Sequence, residues 1–377
     1  MSTKKIVNIG IIGGGLMGRE LASALARWFV LIDPPVEARL VAVADLSEMA
    51  REWFRQIPTV TQITASAEEL IANPAVEVAY VAVPHQLHRE LYLQVLEGGK
   101  DLLAEKPFGI DLAAAEQIRD AALRTKRFVR CSSEFPFLPG PQKVIQFIKQ
   151  KRYGKLLEIR AGFHHSSDLD PNKPINWKRQ VKTCGEIGVM GDLGMHAVHI
   201  PFRFGWWPIR VHAQLQKIVK ERPDGHGGMA ICDTWDNAIL NTEVMVDDAE
   251  VPMRIETKRL APTEMNTWYI EVLGTDAGMR FSTKEPKTLW RYQRAEDQGW
   301  FRTDLGSQSA FPTISGSIFE TGFNDCFQQM WAAFLAEREG ILGNQFGCVT
   351  PDEAVLSHRL FKAALESEKS KSVIELT

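Results

Sequence analysis

"KIVNIGIIGGGLMGRELASALARWF", Lys5 to Phe29, decides the fold. Ile6 to Ile12 is rich in β-branched residues and reads as a strand. Gly13-Gly14-Gly15-Leu16-Met17-Gly18 follows without a break. Apolar residues at Leu21, Ala22, Leu25, Trp28 and Phe29 then recur with helical spacing. G-x-G-x-x-G after a strand and before a helix has a physical reason for each glycine. Gly13 permits the tight turn, Gly15 lets the backbone approach a pyrophosphate, and Gly18 lets helix and strand pack closely. The helix N-terminus offers N–H groups and a positive dipole end to phosphates. Gly13, Gly15, Leu16, Met17 and Gly18 are therefore expected to hold a dinucleotide.

The next strand pattern, "ARLVAVADLS", ends in Asp45. A carboxylate there can accept hydrogen bonds from adenosine ribose hydroxyls, and it repels a 2′-phosphate. NAD is expected over NADP, although a plain helix cap at Asp45 would produce the same residue. Strand and helix keep alternating through "VAYVAVPHQLHRELYLQVLEGG", "KDLLAEKP", "DLAAAEQIRDAALRTK" and "RFVRCSSE". The third of these helical or strand-like runs carries Leu112, Ala115, Ile118, Ala122 and Leu123 on one face. Such alternation implies α/β architecture with a doubly wound parallel Rossmann sheet. Ligands bind at the carboxyl edge of such a sheet. Pro84, His85 and the pair Glu105-Lys106 fall at strand ends on that edge.

From about Leu138 the rhythm changes. One helix, "PQKVIQFIKQKRYG", leads into a series of strand-like runs from "KLLEIRAGFHH" to "TLWRYQRA". Turn signals such as "PDGHGG" and "GTDAG" lie between them. A second domain with an open, mostly antiparallel sheet is expected, with the boundary at 1–134 and 135–377. A C-terminal helix over 350–368, opened by Thr350 and Pro351, is expected to pack back on the first domain. In "GEIGVMGDLGMHAVHIPFRFG", Asp192 and His196 stand four apart and share a helix face. A histidine beside a carboxylate is a proton-transfer pair, but a helix cap over a core histidine has the same spacing. No metal signature with known spacing is present, so no metal is expected.

Composition narrows the class. Among 377 residues, 44 basic and 47 acidic side chains are interspersed, giving a net charge of −3. No basic block suggests a nucleic-acid surface, and no apolar run is long enough to span a membrane. The five cysteines lack C-x-x-C spacing, which points to a reduced, cytoplasmic protein.

These residues resemble the Gfo/Idh/MocA oxidoreductases. The resemblance rests on "GIIGGGLMG", "VAVADLS", "VAVPHQLHRELYLQVLEGGKDLLAEKP", "GDLGMH", "YIEVLGTDAGMRF" and "PDEAVLSHRLFKAAL". It implies hydride transfer between NAD, or NADP, and a secondary alcohol carbon of a sugar or polyol. By position, Lys106 matches the lysine of the family's E-K-P, and Asp192 and His196 match its downstream acid and histidine. Pro84, His85, His88, Glu105 and Lys106 match positions around the cofactor. The resemblance also implies a homodimer or homotetramer built through the C-terminal sheet. Three places depart from the family's usual pattern. His85 stands for an asparagine, His199 for an acid, and "SSEFPFLPG" for an Arg-Phe pair, which puts Glu134 at the crevice. In "HHSSDLDPNKPINWKRQ", His164, Asp168, Trp177 and Lys178 are candidates to line a hydroxyl-rich ligand. The same family uses bound NAD in redox-neutral epimerases, lyases and glycosidases, and has non-catalytic dinucleotide-binding relatives; these stand as alternatives.

Overall fold

The computed structural model describes residues 4–296, 298–306, 309–314 and 321–376. The described chain divides into two compact units, and both are discontinuous in sequence. The first comprises 1–109, 113–138 and 307–354; the second comprises 110–112, 139–306 and 355–377. The single boundary drawn at residue 134 leaves the 307–354 segment with the second domain, whereas here it is counted with the first unit.

The first unit is built on β1 (Ile6–Ile12), β2 (Glu37–Ala44), β3 (Gln62–Thr64), β4 (Val78–Val81), β5 (Asp101–Ala104) and β6 (Val129–Cys131). All pairs run parallel, in the order β3-β2-β1-β4-β5-β6. The order reverses between β1 and β4, which is where such sheets open a ligand crevice. β1 forms because Val7, Ile9, Ile11 and Ile12 are buried, as a parallel strand covered on both faces requires. The helix Leu16–Ala26 ends before Trp28, which is buried in a short 3₁₀ turn, while Phe29 is exposed. In the helix Leu112–Thr125 the buried stripe is Ala114, Ala115, Ile118, Ala121 and Ala122. Leu123 is 72% exposed, so the expected face is rotated by about one residue. The helix Phe323–Arg338 also belongs to this unit. Its Gln328 donates to the carbonyls of Ala24 and Arg27, and Trp331 meets Tyr80 edge-on at 5.5 Å.

The second unit carries β7 (Leu156–His164), β8 (Pro208–Gln216), β9 (Glu221–Pro223), β10 (Met229–Ile231), β11 (Asn237–Val246), β12 (Ala249–Lys258), β13 (Thr267–Gly274), β14 (Ala277–Ser282), β15 (Thr288–Gln293), β16 (Phe301–Asp304) and β17 (Ile374–Glu375). Nine of these form one sheet, β16-β15-β14-β13-β7-β12-β11-β8-β17, and β9 with β10 makes a separate ribbon around the "PDGHGG" turn. Within the large sheet only β7 and β12 pair in parallel. Strand alternation sends Ile159, Phe163, Met253, Ile255, Ile270 and Val272 to a buried face, and the helix Met195–Arg203 packs there. The helix Pro351–Ser370 opens with a capping box. Thr350 Oγ1 accepts from Glu353 N at 3.2 Å, and the Glu353 carboxylate accepts from Thr350 N at 2.8 Å.

Candidate active site

Three glycines shape the turn after β1. Gly13 has φ +101°, and a Cβ there would lie 2.3 Å from the Ala82 carbonyl oxygen. A Cβ on Gly18 would lie 2.3 Å from the Gly13 carbonyl oxygen. Gly15 is different: nothing stands within 4 Å of where its Cβ would be. The backbone is thus open to a ligand at Gly15 and closed at its neighbours. No side chain caps the Leu16–Ala26 helix and no acid occupies its first turn, so the terminus suits a phosphate. These residues fit a dinucleotide. Asp45, at the end of β2, accepts from Gly14 N at 2.6 Å and from Ser47 N at 2.7 Å. The helix cap itself is Ser47, which accepts from Ala50 N.

The ends of β4 and β5 are tied to each other through buried side chains. His88 places Nδ1 2.7 Å from the Pro107 carbonyl and Nε2 2.9 Å from the Val83 carbonyl. Burial holds this imidazole down to about 4, while its two carbonyl partners pull the other way. Its ring stacks on Tyr92 at 4.9 Å and meets the buried His85 at 5.4 Å. Glu105 points inward. Its carboxylate accepts from Tyr80 Oη at 2.5 Å, Ser132 Oγ at 2.7 Å and Lys106 N at 3.2 Å. Tyr92 Oη donates to the Glu105 carbonyl at 3.0 Å. Lys106 therefore rides on a main chain gripped on either side, by Glu105 and by His88 through Pro107. Burial and the nearby Glu105 push the Tyr80 phenol well up. Glu134, 5% exposed, is raised to about 7, first by burial and then by Glu105.

In the second unit, Met190–Gly194 is a π-helical turn that runs directly into the helix Met195–Arg203. Such wide turns occur often at functional sites. Asp192 lies in it, with Oδ1 2.9 Å from Lys178 Nζ and Oδ2 3.3 Å from Arg259 Nη2. Lys178 Nζ also sits over the Trp177 ring, 5.6 Å from its centroid. His196 lies four residues on, its ring edge-on to Phe163 at 5.4 Å and its carbonyl accepting from Trp268 Nε1 at 2.8 Å. The structure thus brings Trp177, Lys178 and Asp192 together. Two other candidates lie elsewhere. His164 alternates with Phe163 and faces the other side of the sheet, 3.4 Å from Glu256 and against the Tyr269 ring. Asp168 is buried in ion pairs with Arg179 and Lys173; burial alone would raise its carboxyl, but these cations hold it below the usual range. Arg259 was not foreseen, because a single arginine at a strand end carries no pattern. Among the described residues no three His, Cys, Asp or Glu side chains are grouped to hold a metal ion. No helix there is long and apolar enough to cross a membrane.

The Gfo/Idh/MocA profile, an oxidoreductase family with an NAD-binding Rossmann fold, matches residues 7–133. The levoglucosan dehydrogenase of Pseudarthrobacter phenanthrenivorans is 26% identical over 322 residues, covering 82% of this chain and 80% of its own. Over residues 7–133 the chain matches the Gfo/Idh/MocA oxidoreductase family, and beyond them it resembles dehydrogenases of that kind. Glucose-6-phosphate 3-dehydrogenase of Bacillus subtilis is also 26% identical, over 74% of this chain and 75% of its own. Among solved structures, a levoglucosan dehydrogenase in complex with NADH and L-sorbose superposes with a TM-score of 0.88 at 21% identity, over 99% of each chain. The fold is that of these solved structures, and NAD is the cofactor its first unit binds. Lys106 lies in the first unit, and Asp192 and His196 lie in the second.

Proposed function

We propose that this Gfo/Idh/MocA chain oxidises a secondary alcohol carbon of a sugar, polyol or sugar derivative. The hydride goes to NAD and the hydroxyl proton goes to the protein, leaving a ketone. NAD supplies the hydride acceptor. Lys106, as an ammonium, holds the hydroxyl oxygen and steadies the negative charge that grows as its proton leaves. His196 takes that proton, and Asp192 steadies the imidazolium. Asp45 accepts from the adenosine ribose and disfavours a 2′-phosphate there. The observation that carries the reading is the bracing around Lys106 at the carboxyl edge of the sheet: a buried carboxylate accepts from its N–H, and a buried imidazole meets the carbonyl of the next residue, Pro107. Ordinary strand punctuation does not need such fixing. Sugar dehydrogenases among the relatives support the substrate class. All five cysteines are buried, which suits a reducing cytoplasm.

The test is NADH formation, followed by its near-ultraviolet absorbance, over a panel including levoglucosan, glucose 6-phosphate and myo-inositol. One member should yield NADH in proportion to sugar consumed. Sugar conversion with no net NADH would replace this reading with redox-neutral chemistry. Lys106→Met should fold and bind NAD normally while kcat falls by roughly 10²–10³. A near-normal kcat would return Lys106 to the role of a strand end.

A further inference from the structure

Asp192 is held by two cations, and one of them also grips the other's backbone. Arg259, almost fully buried, donates from Nη1 to the Lys178 carbonyl at 3.1 Å and the Trp235 carbonyl at 3.4 Å. From Nη2 it reaches Asp192 Oδ2 at 3.3 Å and Cys184 Sγ at 3.6 Å. One planar group therefore links the segment 177–184, residue 235 and the π-helical turn. Lys178 closes the figure from its own side chain, 2.9 Å from Asp192 Oδ1 and about one-third exposed. Thr234 Oγ1 donates to the same Lys178 carbonyl at 3.1 Å.

This arrangement is a poor device for stability. Burying a guanidinium is costly, and a well-packed apolar side chain often serves as well. The buried Arg179 nearby makes it worse, since the two guanidinium groups disfavour each other. The fork geometry, in contrast, suits holding a carboxylate and two carbonyls at fixed angles, which an ammonium does less well. The charged and titratable groups around Arg259 are Asp192, Cys184, Asp168 and Arg179.

We propose that Arg259 is a positioning residue: it locks the Asp192 carboxylate to the Lys178 main chain, so that the carboxylate and the Lys178 ammonium stand as one fixed unit when Asp192 steadies the His196 imidazolium. This rests on the placing of Asp192 at the reacting site proposed above. Arg259 touches no substrate; it acts by fixing where Asp192 sits and by keeping it ionised.

The experiment compares Arg259→Ala, Arg259→Lys and Asp192→Asn with the parent at saturating NAD, on the panel sugar turned over fastest. Arg259→Ala should lower kcat by about 10²-fold, as misplacing a reacting group does, with NAD affinity unchanged. Its acid limb should move to higher pH, because a carboxylate that loses a cation protonates more readily. Millimolar guanidinium should restore kcat at least about tenfold, a result that general loosening of the fold would not give. Arg259→Lys, which keeps the charge and loses the fork, should fall between. A folded Arg259→Ala with parental kcat and acid limb, or one slowed without guanidinium rescue, overturns the proposal. Should Arg259→Ala not fold, Arg259→Lys decides: parental kcat and acid limb overturn it. Asp192→Asn with parental kcat would instead bring down the site assignment itself.

Discussion

Glu134 stands two residues beyond Ser132, whose hydroxyl is already committed to Glu105. A second carboxyl beside a braced one, shielded from water, is easier to keep protonated than to ionise. Its value rises from 4.5 to about 7, so the folded protein holds a proton that the unfolded chain releases. The sign follows. Stability from this group is intact below about 4.5, declines as pH rises through the interval, and is lost above about 7. A shift of this size is on the order of 3 kcal/mol. Glu134→Gln removes the titration and keeps the shape. Thermal melts at pH 5 and pH 8 should therefore differ less in the variant than in the parent, by several degrees. An equal pH dependence in both would show that Glu134 is ionised throughout. The sequence marked Glu134 only as a departure from a family pattern. The partners of Glu105 gave no signal either, because Tyr80 lies on β4 and Ser132 just past β6, and they meet Glu105 only in the folded sheet.

At the scale of elements, the glycine turn separates folding from binding. Gly13 and Gly18 are required by backbone oxygens 2.3 Å from the missing Cβ, whereas Gly15 faces open space. Gly15→Ala should melt within about 1 °C of the parent, yet bind NAD at least about tenfold more weakly, since its methyl enters the pyrophosphate's place. Gly13→Ala should cost stability by roughly 1–3 kcal/mol or more, from the positive φ and the clash together. Unchanged NAD affinity in Gly15→Ala, measured by titration, would move the pyrophosphate elsewhere. The turn was legible in the sequence because G-x-G-x-x-G is a contiguous pattern, although the oxygen that forbids a Cβ at Gly13 is that of Ala82, from far along the chain. The helix Phe323–Arg338 was not legible. Cys326 to Ala336 are buried all round, so no apolar stripe with a 3.6 period exists to detect. The π-helical turn was equally hidden, since Asp192 and His196 have the spacing of an ordinary helix.

At the scale of the whole molecule, alternation within strands was readable, but which strands become neighbours was not. Pairing of β7 with β12 and β13 joins segments roughly ninety or more residues apart, and only tertiary packing selects it. That pairing produces a two-sided sheet. The side away from the Met195–Arg203 helix bears Glu158, Arg160, Arg254, Glu256 and Glu271, paired among themselves: Arg160 with Glu158 at 2.7 Å and Arg254 with Glu256 at 2.6 Å. Arg160 also lies 3.8 Å from Glu271. An extended face in which acids and bases alternate is complementary to a copy of itself about a two-fold axis, each arginine meeting a glutamate of the other copy. The expected assembly is a dimer or tetramer through this sheet, with an ionic rather than apolar contact. Ionic contacts weaken as the screening length contracts from about 10 Å to about 3 Å between 0.1 M and 1 M salt. Light scattering at micromolar concentration should therefore give an oligomer in low salt and a smaller mean mass near 1 M. Arg160→Glu with Arg254→Glu should shift the low-salt sample toward monomer without lowering its melting temperature by more than a few degrees. A monomer at low salt would reject the interface, and an oligomer indifferent to both salt and charge reversal would place it on another surface.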